Sequence, residues 1–137
     1  MDYQLRDLLQ QHGQRNTPGR QAIFALLKAE SPLAIAELRD KQSGDFDTAS
    51  LYRTLNLFRK LGVIQDVVIA GQRKVELTDQ FTPHHHHLAC SRCGKTVTLH
   101  EELLEKYLTN LAIKHGFRHE NHSFEITGVC RDCQQAT

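Results

Sequence analysis

Pro83-His84-His85-His86-His87-Leu88-Ala89-Cys90-Ser91-Arg92-Cys93-Gly94 is the stretch around which the rest of this chain organises. Its last part is a C-x-x-C knuckle backed by a turn glycine, and a second knuckle, Cys130-Arg131-Asp132-Cys133, follows near the C-terminus. Two knuckles make four thiolates. Four sulfurs around a tetrahedral Zn²⁺ form a closed structural site, and metal binding there folds a unit too small to hold itself together by burial. A disulfide framework or redox pair is the competing reading of Cys90, Cys93, Cys130 and Cys133. It is disfavoured if the chain stays in the cytoplasm, where thiols are kept reduced. Met1 to Leu9 carries Asp2 and Asp7 and lacks an apolar core, so it does not read as a secretory signal. No apolar run approaches the roughly 20 residues that span a bilayer. A cytoplasmic protein without a membrane segment is expected.

The histidines that open the quoted stretch are internal, flanked by Pro83 and Leu88, and are no terminal tag. Eight of the nine His and all four Cys lie beyond residue 83. In a strand, successive side chains point to opposite faces, so His84 and His86 would face one way and His85 and His87 the other. One strand would then serve two sites. A solvated polar run is the plainer alternative, although His-rich tracts commonly bind metal. Glu76, Glu105, His100 and His122 stand where their side chains could add oxygen or imidazole ligands. Taken singly, each is more often a solvated surface residue.

Outward from the quoted stretch toward the N-terminus, the pattern changes. Tyr3, Leu5, Leu8 and Leu9 have helical spacing, closed by Gly13. Thr17-Pro18 places a capping hydroxyl before a proline at the first helical position, with Ile23, Leu26 and Leu27 as the stripe of a second helix closing near Ala29. Ser31-Pro32 restarts the pattern for a short third helix running out near Ser43-Gly44, and Asp45 to Thr48 reads as turn and cap. A fourth helix is predicted from Ala49 to Leu61 on Leu51, Leu55, Phe58 and Leu61, with Gly62 behind it. Val63 to Ile69 and Lys74 to Leu77 read as a hairpin about Ala70-Gly71-Gln72. Helices followed by a hairpin are the order of a winged helix-turn-helix, with Ala34 to Arg39 as the positioning helix and Ala49 to Leu61 as the reader. In the other direction, strands are expected at His85 to Cys90 and Thr96 to Leu99, a helix from Glu101 to His115 closed by Gly116, and a last strand from Phe124 to Val129. The expected fold is α/β in the α+β sense. A winged-helix domain over 1–78 and a hinge over 79–83 precede a small metal-binding α/β domain over 84–137.

Charge alone does not point to nucleic acid. Residues 1–83 hold 11 Lys/Arg against 10 Asp/Glu, and residues 84–137 hold 6 of each. A DNA reading rests on motif and on local placement of Arg. Catalysis has no visible machinery. His100-Glu101-Glu102-Leu103-Leu104 fails the H-E-x-x-H pattern of zinc hydrolases at Leu104, and there is no G-x-S-x-G and no Gly-rich phosphate loop. No cysteine is left over for nucleophilic work.

With these residues in view, the chain resembles the ferric uptake regulator family of metal-dependent repressors over nearly its whole length. The resemblance is carried by Arg15-x-Thr17-x-x-Arg20, by Ala49-Ser50-Leu51-Tyr52-Arg53-Thr54-Leu55, and by Glu76. The stretch His84 to Gly94, Gly116-Phe117, His122 and the second knuckle complete it. It implies a homodimer that binds an inverted-repeat operator in double-stranded DNA when a divalent metal locks the two domains together. Arg15 would enter the minor groove, and Ser50, Tyr52 and Arg53 would act from the reader helix. It also implies a hinge site of Glu76, His85 and His87, and a second site of His84, His86, Glu105 and His122.

The chain departs from the family pattern in three places. Pro32 or Leu33 stands where many relatives have a histidine ligand, Thr98 where many have glutamate, and His86 where aspartate is common. His100, two residues past Thr98 on the same face, or Asp66 from the wing is expected to complete the hinge site. Mixed nitrogen and oxygen ligands suit Fe²⁺, Zn²⁺ or Mn²⁺ alike, and a peroxide-sensing member of the same family is an alternative. A zinc-dependent enzyme and a metal buffer are the readings from other classes. Neither has a use for a separate helix-turn-helix head. No small-molecule substrate beyond metal ions is expected.

Overall fold

The computed structural model describes residues 2–42 and 47–136, which divide into two compact units, Met1–Pro83 and His84–Thr137. The helix end expected near Ser43-Gly44 and the start of the turn expected from Asp45 lie outside the described residues. The architecture combines helices with two separate sheets, as the α+β expectation has it.

The first unit comprises α1 (Tyr3–Gln11), α2 (Pro18–Glu30), α3 (Ile35–Lys41), α4 (Thr48–Lys60), β1 (Ile64–Ile69) and β2 (Gln72–Leu77). Short polar side chains start α1, α2 and α4, because the first backbone N–H groups have no partner within a helix. Asp2 accepts from the Leu5 N–H, Thr17 from the Arg20 N–H, and Asp47 from the Ser50 N–H. At the far end of α4, Gly62 adopts φ +74, the left-handed conformation that stops a helix at little cost in glycine. The β1–β2 hairpin pairs Ile64 with Leu77 and Ile69 with Gln72. Ala70 (φ 52) and Gly71 (φ 78) supply the two left-handed residues that a tight turn between twisted strands requires. Leu5, Leu9, Ile23, Leu27, Leu38, Leu51, Leu55, Phe58, Val75 and Leu77 form one buried cluster.

The third helix starts within a residue of the Ala34 expected for it, with Ala34 as its cap residue. Ahead of it, Leu33 exchanges backbone hydrogen bonds with Val75 (3.0 and 2.8 Å), so a short extended stretch adds to the wing before α3 starts at Ile35. Leu33 is buried in the core of this unit. Within residues 79–83, read as a hinge, Phe81 packs edge-on against Phe24 with ring centroids 5.3 Å apart. Gln4 Nε2 donates to the Gln80 carbonyl at 2.6 Å. This segment is seated on the first unit.

The second unit comprises β3 (His86–Cys90), β4 (Thr96–Leu99), α5 (Glu102–Lys114), β5 (Glu125–Gly128) and a short α6 (Arg131–Gln135) that the sequence reading did not foresee. The sheet order is β4-β3-β5, with β3 antiparallel to β4 and parallel to β5. β3 is therefore central. It carries His86, His87 and the first cysteine, with His84 and His85 just ahead of it, and its neighbour β5 leads into the second knuckle. Among the described residues no helix is long and apolar enough to cross a membrane.

Candidate metal centres

The register of the sheet brings the two knuckles together. Cys90 pairs with Gly128 across the parallel ladder, and the Ser91 N–H donates to the Gly128 carbonyl at 2.8 Å, so the turn after β3 and the chain leaving β5 end side by side. The Cys93 and Cys130 N–H groups donate to Cys90 Sγ at 3.5 and 3.3 Å, and the Lys95 N–H donates to Cys93 Sγ at 3.4 Å. Arg92 Nη1 reaches the Cys133 carbonyl at 3.2 Å, tying one knuckle to the other. The four Sγ atoms lie within 4.8 Å of one another, and Cys93 and Cys130 sulfurs are 3.7 Å apart. A tetrahedron with Zn–S arms of about 2.3 Å has edges of roughly 3.8 Å. The sulfur set fits that ion.

Electrostatics point the same way. The N–H groups of Cys130 and Cys93 hold the Cys90 thiol down at about 5. Cys133, hydrogen-bonded to the Cys130 sulfur, partly desolvated, and close to the Cys93 and Cys90 sulfurs, is pushed up to about 12. Four converging sulfurs cannot all ionise without a cation among them, and a divalent metal removes that conflict.

A second cluster lies at the other end of β3. His86 Nε2 is 2.7 Å from Glu105 Oε1 and 3.1 Å from His122 Nε2. His84 Nε2 is 3.3 Å from His122 Nε2, and His122 Nε2 is 2.7 Å from Glu105 Oε2. Three imidazoles thus turn the same nitrogen toward one carboxylate. Ligands about 2.0–2.1 Å from a tetrahedral ion sit roughly 3.3–3.4 Å from each other, so the imidazole spacings match a metal shell. Burial holds the His86 imidazole below its ordinary range, against the pull of Glu105. Burial pushes Glu105 up, but its hydrogen bond with His86 and the charges of His122, His84 and His86 outweigh that and leave the carboxyl below its usual range. The Phe124 ring lies flat on His86, 4.0 Å between centroids and 15° from parallel, which shields this side of the cluster.

On the alternate positions, His85 and His87 bring their rings to 4.9 Å, and His100 lies 6.0 Å from His85. In the first unit Glu76 is a buried residue of β2 whose Oε1 accepts from Gln65 Nε2 at 3.0 Å. Asp66, the other residue considered for the hinge site, is held in a two-point ion pair by Arg59 at 2.8 and 3.0 Å.

The residues expected to contact nucleic acid are all on the first unit. Along α4, Leu51, Thr54, Leu55 and Phe58 face the core, which leaves Tyr52, Arg53 and Asn56 exposed on the opposite face. Asp47 caps the helix at 2.6 Å, and Arg53 Nη2 donates to Ser50 Oγ at 3.1 Å, so Ser50 and Arg53 share one turn of surface. Arg15 is exposed in the loop before α2, and its carbonyl accepts from Arg20 Nη1 at 2.6 Å.

A model of the ferric uptake regulator family matches residues 11–127. The chain belongs to this family. Its members are regulators, not enzymes, which sets aside the catalytic alternative. The chain is 31% identical to the peroxide-responsive repressor PerR of Staphylococcus saprophyticus, over 98% of this chain and 94% of that protein. It superposes on the Vibrio cholerae ferric uptake regulator with a TM-score of 0.73 at 27% identity, covering 91% of this chain and 98% of that one. On the Helicobacter pylori ferric uptake regulator the TM-score is 0.80 at 22% identity, with 96% and 90% covered, a likeness of fold.

Sequence reasoning passed over two residues of the second cluster, Phe124 and His119. The spacing His119-x-x-His122 was the available signal for the latter.

Proposed function

We propose that this chain is a metal-responsive transcriptional repressor, a cytoplasmic homodimer that binds an inverted-repeat operator in double-stranded DNA. The observation that carries the reading is the central strand β3, which joins a four-sulfur set to a set of three imidazoles and one carboxylate in a unit that follows a winged helix. A metal buffer has no use for the exposed Tyr52 and Arg53 on a capped reader helix. In this reading Cys90, Cys93, Cys130 and Cys133 hold a structural Zn²⁺. His84, His86, Glu105 and His122 hold a second divalent ion, and His85 and His87, with Glu76 and His100 as the sequence suggests, take the regulatory Fe²⁺, Zn²⁺ or Mn²⁺. Arg15, Ser50, Tyr52 and Arg53 contact the operator.

Dimerisation is supported by α5, which buries none of its residues and exposes Leu103, Tyr107 and Leu111 at intervals of four, with Phe117 70% exposed just beyond. Apolar side chains aligned on one helix face mark a surface that a partner covers.

The test is operator affinity with and without added metal for the wild type, His87→Ala and His84→Ala. Metal must favour the DNA-binding arrangement if it is to switch the protein, and operator DNA must then tighten metal binding by the same factor. His87→Ala should lose the metal-dependent gain while keeping Cys-bound zinc and the dimer, and His84→Ala should lose less. A His87→Ala protein that gains affinity as wild type does would rule out the regulatory assignment. A peroxide-sensing repressor is the second reading, favoured by the likeness to the Staphylococcus saprophyticus protein. It predicts that peroxide abolishes operator binding by the Fe²⁺-loaded dimer and spares the Mn²⁺-loaded one.

A further inference from the structure

His119 belongs to none of the three ligand sets, yet it touches one of them. Its Nε2 lies 2.9 Å from Nδ1 of His122, the ring centroids are 5.0 Å apart and the planes are tilted by 38°. His122 turns its other nitrogen, Nε2, to Glu105, His84 and His86 at 2.7, 3.3 and 3.1 Å. The two nitrogens of an imidazole stand on opposite flanks of the ring, so His119 approaches His122 from behind, away from the carboxylate. It cannot give the same nitrogen to the ion as a further ligand while keeping this hydrogen bond.

We infer that His119 is a positioning residue for the second metal site, accepting the Nδ1–H of His122 and so presenting the Nε2 lone pair of His122 to the cation. The physical reason is general. A neutral imidazole carries one proton, and a partner that accepts it at one nitrogen leaves the other as the ligand and fixes the ring's orientation. Carboxylates, backbone carbonyls and waters usually take this part. Here the nitrogen placed to take it is a second imidazole. His119 lies between Gly116, where the chain leaves α5, and β5, and it is half-buried, while its neighbours Arg118 and Glu120 pair with each other on the surface. Phe124 stacks on His86, and its centroid is 6.3 Å from that of His122. Aromatic packing and the His119 contact thus hold the cluster from different directions.

The inference rests on the reading that His84, His86, Glu105 and His122 bind a divalent ion, and one titration separates the two claims. In a His87→Ala parent that retains its Cys-bound zinc, Co²⁺ affinity is measured for the parent and with His119→Ala or His119→Gln added. Gln places its Oε1 or Nε2 close to where the distal histidine nitrogen sits, and through Oε1 it can accept the same proton. His119→Ala should weaken Co²⁺ binding about 10- to 100-fold, the usual consequence of removing such a partner, and His119→Gln should recover most of that loss. A parent that binds no Co²⁺ beyond the cysteine site overturns the site itself and the role of His119 with it. A parent that binds, with His119→Ala equal to it within about twofold, overturns the role of His119 alone. So does an equal loss in His119→Ala and His119→Gln, which would mean that ring packing matters and proton acceptance does not.

Discussion

The two units of this chain are held together by different physics. Every residue of the large buried apolar cluster lies in the first unit, from Leu5 to Leu77, and Leu9, Ile23, Leu27, Leu38, Leu55, Phe58, Val63 and Leu77 are wholly enclosed. Among the described residues of the second unit, the buried ones are His86, His87, Ala89 and Cys90. Two imidazoles, a methyl group and a thiol cannot offset the conformational entropy of ordering some fifty residues. In the proposed reading, ligands to its sulfurs and nitrogens and a partner on α5 supply the stability that burial does not. The first unit can hold on burial alone, so damage to either should stay where it is made.

The largest effect should follow loss of a knuckle. Structural zinc sites contribute on the order of 10–16 kcal/mol to folding in small peptides. Cys133→Ser should therefore release tightly held zinc, unfold the second unit and dissociate the dimer, while the first unit keeps its melting transition. Zinc analysis with resolved amide spectra of both units checks this. One zinc per chain with normal dimerisation would overturn the contrast.

The reciprocal cut comes next. Phe58 is fully buried on α4, and truncating such a ring costs about 3–5 kcal/mol. Phe58→Ala should lower the denaturation midpoint of the first unit and abolish operator binding, with zinc content and dimer unchanged. Loss of zinc in this variant would show that the units are not independent.

A surface change on the same helix should be gentler still. Arg53→Ala leaves the packed face of α4 intact and should weaken operator binding by about 1–3 kcal/mol, with a smaller loss on random DNA. Equal losses on both DNAs would mean that Arg53 contacts phosphate only.

The smallest effect should be a pH dependence at the start of α4. The Ser50 N–H and hydroxyl hold Asp47 below its ordinary carboxylate range. A group depressed in this way stabilises the fold above its unfolded pKa, and the contribution disappears as pH falls through the lower folded value. Wild type should thus melt above Asp47→Ala at neutral pH, and the two should converge as pH drops below about 4. Asp47→Asn, whose amide oxygen caps without titrating, should keep its advantage in acid.

Much of this was legible without coordinates because it is local. Thr17-Pro18, Gly62 and Ala70-Gly71 act through the backbone of a few neighbouring residues, and each marks the boundary it was read to mark. The four histidines divide by strand alternation, a property of any extended chain, and their rings fall into the pairs His84 with His86 and His85 with His87. The knuckles were equally plain. Contacts between segments distant along the chain left no such local mark: Leu33 adds to the wing through Val75, and Phe81 packs on Phe24.

The amino-acid sequence by itself determined the α+β class, the family, the two kinds of ligand and the boundaries of most elements, since these depend on residue type and short spacing. The family resemblance had already grouped His84, His86, Glu105 and His122. Only the tertiary structure decided the partners around them: Asp66 goes to Arg59, Phe124 stacks on His86, and His119 comes to stand behind His122. The first pairing is set by how α4 packs on β1, and the others by how the chain beyond α5 returns along the sheet and by which nitrogen of a ring faces which neighbour, quantities that no short stretch of sequence carries.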